Sequence, residues 1–241
     1  MAAVVRVLIE DPDLAHGIAG ERRRAAERAC LANVVRATRG PWRADRVSSA
    51  PPGSFGLLVL KGLLSRRVGR GGRFGAELLG PGDLLRPWDR PGDQAAMSFA
   101  TDWKVIQPAR LAILDRRFAE RAAPYPEIAD QLIGRTLLRS RQLTETMAIV
   151  HHPRVEVRVH ALLWSLAERW GTVRRDGIAL SLPLTHALLA DMVAASRPAV
   201  TAALSALTKR RCVLRDRDLW LLRGGPPAEL DEVGGTALAG S

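Results

Sequence analysis

Arg197, Thr201, Ser205, Thr208 and Lys209 recur at helical spacing within the stretch LTHALLADMVAASRPAVTAALSALTKRRCVLRDRDLWLL, residues 184–222. A guanidinium, an ammonium and small hydroxyls on one helical face can hydrogen-bond to base edges and pair with phosphates. Almost no bulky apolar residue shares that face, so it is slim enough for a helix that enters a major groove. The opposite face, Val200, Ala203, Leu204 and Leu207, follows the 3, 4, 7 spacing of a buried stripe.

The surrounding residues read as the frame for that face. Thr185 is a good N-cap for a first helix from about His186 to Val193. The small pair Ala194-Ala195 suits a tight turn. Ser196 caps the second helix, and Pro198 falls in its first turn, where a missing N–H costs nothing. Beyond Lys209-Arg210-Arg211, two apolar runs flank the polar Arg215-Asp216-Arg217-Asp218 and read as a hairpin. Helix, turn, helix and hairpin together make a winged helix. The competing reading is an ordinary packed helix pair with a polar outer face.

Composition bounds the rest. The 241 residues suit two modest domains, and 47% hydrophobic content supports proper cores. The net charge of +11 favours an anionic partner. Residues 151–223 carry 12 basic and 6 acidic side chains, the densest positive region. Two distant cysteines, Cys30 and Cys212, give no metal or iron–sulfur spacing, and no metal or cofactor is expected. The start is acidic within ten residues, which predicts no secretory leader, and no apolar run spans a bilayer. A cytoplasmic protein with reduced thiols and no membrane partner is expected. No nucleophile–base–acid grouping or phosphate loop supports an enzyme, so no catalytic residue is assigned.

Along the chain, Asp11-Pro12 opens a helical stretch to about residue 27 in two pieces, and Leu31 to Arg36 suits a short strand. Residues 55–114 are dense in strand and turn signals: strands at 55–60, 63–68, 74–79, 95–100, 103–106 and 111–114, with a strong turn at Gly80-Pro81-Gly82-Asp83. Such spacing predicts a barrel or roll. Asp115 caps a short helix, and Pro126 starts a long one reaching about Val150. That helix is longer than one small domain needs, which suggests pairing with a second copy through Ile128, Leu132, Leu143 and Met147. His151-His152-Pro153 reads as a hinge. Val155 to Trp170 forms a strong helical stripe stopped by Gly171, and residues 224–241 read as a disordered tail.

A roll, a long helix, a hinge and a winged helix resemble, in this order, the Crp/Fnr family of bacterial transcription regulators. The resemblance spans residues 53–223: LLGPGDLL at 78–85 looks like the turn before that family's ligand cassette, and Ser196-Arg197 matches the pair that begins its recognition helix. It implies an α+β fold with an antiparallel, jelly-roll-like β-roll, a homodimer on a two-fold site in double-stranded DNA, and contact with RNA polymerase. The implied domains are residues 1–125 as the sensing roll, 126–152 as dimerisation helix and hinge, and 153–223 as winged helix. Thr185, Ser196, Arg197, Pro198, Thr201, Ser205, Thr208, Lys209, Arg215 and Arg217 are the expected DNA contacts.

The pattern departs from the family at the ligand cassette. Arg86-Pro87-Trp88 stands where Gly-Glu-Leu is usual, and residues 94–98 hold no arginine. Leu143-Thr144 replaces the Thr-Ser pair that meets the base. Cyclic AMP in the usual pose is therefore not expected. A nucleotide-like effector of another kind is expected, if one binds, near Arg86, Trp88, Arg90, Leu143 and Thr144, where guanidiniums flank an indole. In the recognition helix, Pro198 and Ala202 replace the family's usual Glu and second Arg. The alternative to a DNA-binding regulator is a sensory or scaffold protein whose winged helix binds another protein.

Overall fold

A computed structural model describes residues 3–43, 53–88 and 97–230. It divides into two compact units, with the boundary between Gln142 and Leu143; the short segment Arg73–Ala76 goes with the second unit.

The first unit is built on an antiparallel sheet. Strands β1 (Ala3–Arg6), β2 (Leu31–Ala37), β3 (Gly40–Pro41), β4 (Gly56–Arg70), β5 (Arg73–Leu79), β6 (Leu84–Leu85) and β7 (Ala100–Leu114) are ordered β1-β2-β7-β4-β5, with β3 on β7 and β6 on β4. The turn at residues 80–83 stands where the sequence places it, tied by the Asp83 carboxylate accepting from Gly80 N at 2.7 Å. The apolar run at 55–60 and the strand expected to continue at 63–68 form one strand, β4. Its break at Lys61-Gly62 is a run of register shifts against β7. Gly62 has φ +95° there, and a Cβ would lie 2.3 Å from Pro108 O, so only glycine fits. The strands expected at 103–106 and 111–114 likewise merge into β7; of the run 95–100, residues 95 and 96 lie outside the described part. Strand β1 and helix α1 (Val7–Glu10) escaped sequence reading, because four-residue elements carry too little periodicity.

Helix α2 (Gly20–Ala29) and a 3-10 turn, Pro12–Ala15, cover one end of the sheet. Helix α3 (Arg116–Ala122) starts where Asp115 accepts a hydrogen bond from Phe118 N at 2.9 Å. Helix α4 runs over Pro126–His151. Its first turns close the apolar core of Val7, Leu14, Cys30 and Phe118 with Ile128 (0% exposed) and Leu132 (2%). Burial pushes the Cys30 thiol up to about 11, which leaves it an inert apolar filler. One turn further, Arg135 pairs with both oxygens of Asp11 at 2.5 and 2.8 Å. Arg139 pairs with both oxygens of Glu77 at 2.7 and 3.0 Å, and Glu77 also takes Arg66 at 2.5 Å. Bidentate pairs of this kind fix direction as well as contact, so α4 is set on the roll in one register.

Two expected dimer-seam residues are thereby corrected. Ile128 and Leu132 belong to the chain's own core, since the face of α4 that packs on the roll needs apolar residues first. The large apolar residues that α4 leaves exposed are Ile133, Leu137, Leu138, Leu143 and Met147. Ile133, Leu137, Ser140, Thr144 and Met147 repeat at alternating four- and three-residue steps and are all exposed, the spacing of a helix–helix seam.

The second unit holds α5 (Val155–Trp170), β8 (Gly171–Arg174), β9 (Gly177–Ser181), α6 (His186–Met192), α7 (Arg197–Lys209), β10 (Val213–Asp216) and β11 (Leu219–Leu222). Its sheet is ordered β10-β11-β9-β8, so the expected hairpin is extended by the β8–β9 pair. Helix α5 ends where the backbone of Gly171 turns extended, and a Cβ there would lie 2.3 Å from Ala167 O, so the position takes glycine. The expected disorder from residue 224 does not hold up to 230: Ala228–Leu230 form a 3-10 turn, and Glu229 pairs with Arg154 at 3.4 Å. Residues 231–241 lie outside the described part.

Candidate nucleic-acid interface

The frame of the interface is local. Thr185 Oγ1 accepts from Leu188 N at 3.1 Å and Ser196 Oγ from Ala199 N at 3.3 Å, so both helices start at the hydroxyls the sequence offers. The axes of α6 and α7 bend by 102° at the turn between them. Helix α6 ends with Ala195 N on Ala190 O at 3.0 Å, and Ala194 between them has φ +51°. Helix α7 ends the same way, with Cys212 N on Leu207 O at 3.0 Å and Arg211 at φ +59°. Both ends are Schellman turns with a side chain where glycine is usual, a strain of about 1 kcal/mol each.

Arg158 holds the first of these turns. Its Nη1 donates to Val193 O and Ala194 O, both at 3.3 Å, while Nε donates to His152 O at the end of α4. The hinge and the turn thus share one guanidinium. Sequence reading missed this role because residues 152, 158 and 194 meet only in the folded domain.

On α7, Val200, Ala203, Leu204 and Leu207 are buried, and Arg197, Pro198, Thr201, Ser205, Thr208 and Lys209 are exposed, as the stripe predicts. The hydroxyls of Thr201, Ser205 and Thr208 donate to the carbonyls of Arg197, Thr201 and Leu204 at 3.0, 3.0 and 2.9 Å. Their protons are therefore engaged, and their oxygens face outward as acceptors. Arg210, from the basic run, is tied to Glu156 at 2.5 Å.

The two wing arginines differ. Arg217 sits exposed at the hairpin tip with φ +51°. Arg215 is exposed as well, but its guanidinium is held against the domain: Nε donates to Arg217 O at 3.0 Å, Nη2 to Leu184 O at 3.3 Å, and the group lies 4.4 Å from the centre of the Trp220 ring. An arginine can stack and donate at once, and the buried indole beside it offers that platform.

The residues expected around an effector are only partly brought together. Trp88 packs half-buried against the core of Leu57, Val105 and Leu111, with its Nε1 buried and unpartnered among the described residues. Arg86 is exposed, and Arg90 lies outside the described residues. Leu143 and Thr144 lie on the exposed side of α4, in the other unit. No group of three or more His, Cys, Asp or Glu among the described residues could hold a metal ion. No single described helix is long and apolar enough to cross a membrane.

His160, inside the winged unit, adds a pH dependence. It is buried, and its Nε2 accepts from Trp164 Nε1 at 3.0 Å. Burial, then the charge of Arg210, lowers its pKa below 6.5, against weaker pulls from Glu229 and Glu156. The neutral ring is the folded form, so its contribution to stability is complete above about pH 6.5 and is lost as pH falls through the lowered folded value. Melting temperature is expected to drop between pH 7.5 and pH 5, and His160→Gln is expected to flatten that slope; an unchanged slope in thermal melts of the variant would refute the assignment.

The comparisons agree with this geometry. Residues 157–223 match the family model of the Crp-like helix-turn-helix domain. A putative HTH-type transcriptional regulator, ycf28 of Porphyra purpurea, is 31% identical over 83 residues, covering 34% of this chain. The match spans 35%, about a third, of that relative's length. Among solved structures, FixK2 from Bradyrhizobium japonicum superposes with a TM-score of 0.59 at 18% identity, covering 80% of this chain and 93% of that one. A CooA mutant from Carboxydothermus hydrogenoformans gives 0.60 at 16% identity, covering 83% and 86%. Residues 157–223 thus match the Crp-like helix-turn-helix domain, and the chain has the fold seen in FixK2 and CooA.

Proposed function

We propose that the protein is a transcription regulator of Crp/Fnr type that binds a two-fold site in double-stranded DNA as a homodimer. The observation that carries this is the exposed face of α7. It bears Arg197, Thr201, Ser205, Thr208 and Lys209 and no large apolar residue, and it stands on a capped turn. A helix that docks on a protein would present aromatic or aliphatic anchors instead. The exposed seam of α4, from Ile133 to Met147, supports pairing of two copies, which would place two α7 helices on one operator. A bound dimer would act on RNA polymerase at the promoter. An effector, if the roll takes one, is of another class than cyclic AMP, because Arg86-Pro87-Trp88 occupies the place of the usual cassette.

Shift titrations at two salt concentrations test the reading. Binding should weaken steeply with salt, because phosphate contacts release counterions. Arg197→Ala is expected to cost about 1–3 kcal/mol at the cognate site and to blunt discrimination. Lys209→Ala is expected to weaken all sequences alike and to lower the salt slope by about one unit. Binding that does not respond to salt, or to Arg197→Ala, would remove α7 as the reader.

A further inference from the structure

Three side chains from three elements meet beside the reading face: Thr201 of α7, His186 in the first turn of α6, and Arg215 of β10. His186 Nδ1 lies 2.8 Å from Thr201 Oγ1, and its Nε2 lies 3.2 Å from Arg215 Nη1. A guanidinium can only donate, so Nε2 must be the bare nitrogen. In the neutral ring the proton is then on Nδ1 and is donated to Thr201. The Thr201 proton goes to Arg197 O at 3.0 Å. The charged groups facing the ring are Arg215 from β10 and Arg197 from α7; after burial, these two cations lower the ring's pKa and keep it neutral. Arg215 is held in turn by Leu184 O, Arg217 O and the Trp220 ring.

This order of donors leaves Thr201 with its proton used and one lone pair filled. Turning the hydroxyl outward to donate would set a lone pair against Arg197 O, so the exposed oxygen is left as an acceptor. We propose that the Arg215–His186–Thr201 relay fixes Thr201 as a hydrogen-bond acceptor on the reading face, so that it selects a base with an exocyclic amine, adenine or cytosine, at the strand position it faces. Guanine and thymine present acceptors at the corresponding major-groove atoms and would be disfavoured. The proposal rests on α7 being the reading helix. His186 is a positioning residue in it, acting through Thr201.

Selection from a pool of randomised duplexes tests it with the full chain. The wild type is expected to enrich a two-fold site in which one position per half-site favours adenine or cytosine by on the order of tenfold. Thr201→Val, which keeps the shape and removes the oxygen, should flatten that position and leave the others. His186→Ala should reduce the same preference several-fold. His186→Asn, whose amide N–H stands in for Nδ1–H, should restore it, which a merely structural role for the ring would not produce. A Thr201-dependent position that favours guanine or thymine, or a preference unchanged in His186→Ala, overturns the relay. An enriched site with no position that responds to Thr201→Val overturns the relay and leaves DNA reading by α7 intact. A wild-type protein that enriches no sequence overturns the reading assignment itself, and the relay with it.

Discussion

Replacing Leu132 with Asp is expected to unfold the first unit rather than to yield a folded monomer. Leu132 is 2% exposed and packs in the core of Val7, Leu14, Phe118 and Ile128. The substitution removes buried apolar volume and leaves a carboxyl that must stay neutral or draw in water. Together these cost roughly 5 kcal/mol or more, comparable to the whole stability of a small domain. Leu137→Asp and Met147→Asp are expected to behave differently, because those side chains are 66% and 62% exposed. Their melting temperature should hold, and light scattering should report the loss of the dimer if α4 is the seam. A Leu132→Asp protein that melts like the wild type would contradict the core assignment. A Leu137→Asp, Met147→Asp double variant that stays dimeric would place the seam elsewhere.

Trp220→Ala should have the second largest effect, and within the winged unit. Trp220 is 1% exposed, donates from Nε1 to Leu182 O at 3.1 Å, and supplies the ring under Arg215. It sits on β11, opposite Leu180 of β9 and Arg215 of β10, so it fills the middle of the small sheet. Truncating a buried indole of this kind costs about 3–5 kcal/mol. The same change removes the platform that holds Arg215, so sequence discrimination should fall together with stability. Trp220→Phe keeps an aromatic ring but loses the Nε1 bond and part of the buried indole volume, and should cost less than the alanine change, about 2–3 kcal/mol. Denaturant melts of both variants check the order; equal losses would mean that the ring does not carry the packing.

The sequence by itself determined the parts that depend on near neighbours. The caps at Asp115, Thr185 and Ser196, the start of α4 at Pro126 and the end of α5 at Gly171 are set by residues within a turn of the break, where only a few geometries satisfy the free N–H and C=O groups. The two faces of α7 follow from a 3.6-residue period and survive folding unchanged. Tertiary structure decided what depends on which faces meet. The apolar residues of α4 looked alike in sequence, yet Ile128 and Leu132 became core while Leu137 and Met147 stayed outside, because the roll covers only one side of the helix near its start. Arg215 and Arg217 are two residues apart, chemically identical and both exposed, yet the first is held by the Trp220 ring and the Leu184 carbonyl, and the second sits at the hairpin tip. His186 acquired its partners from positions 15 and 29 residues away. Contacts at that range have no period to betray them; they exist only once helix, helix and wing are packed, and packing fixed which polar atoms were left to face outward.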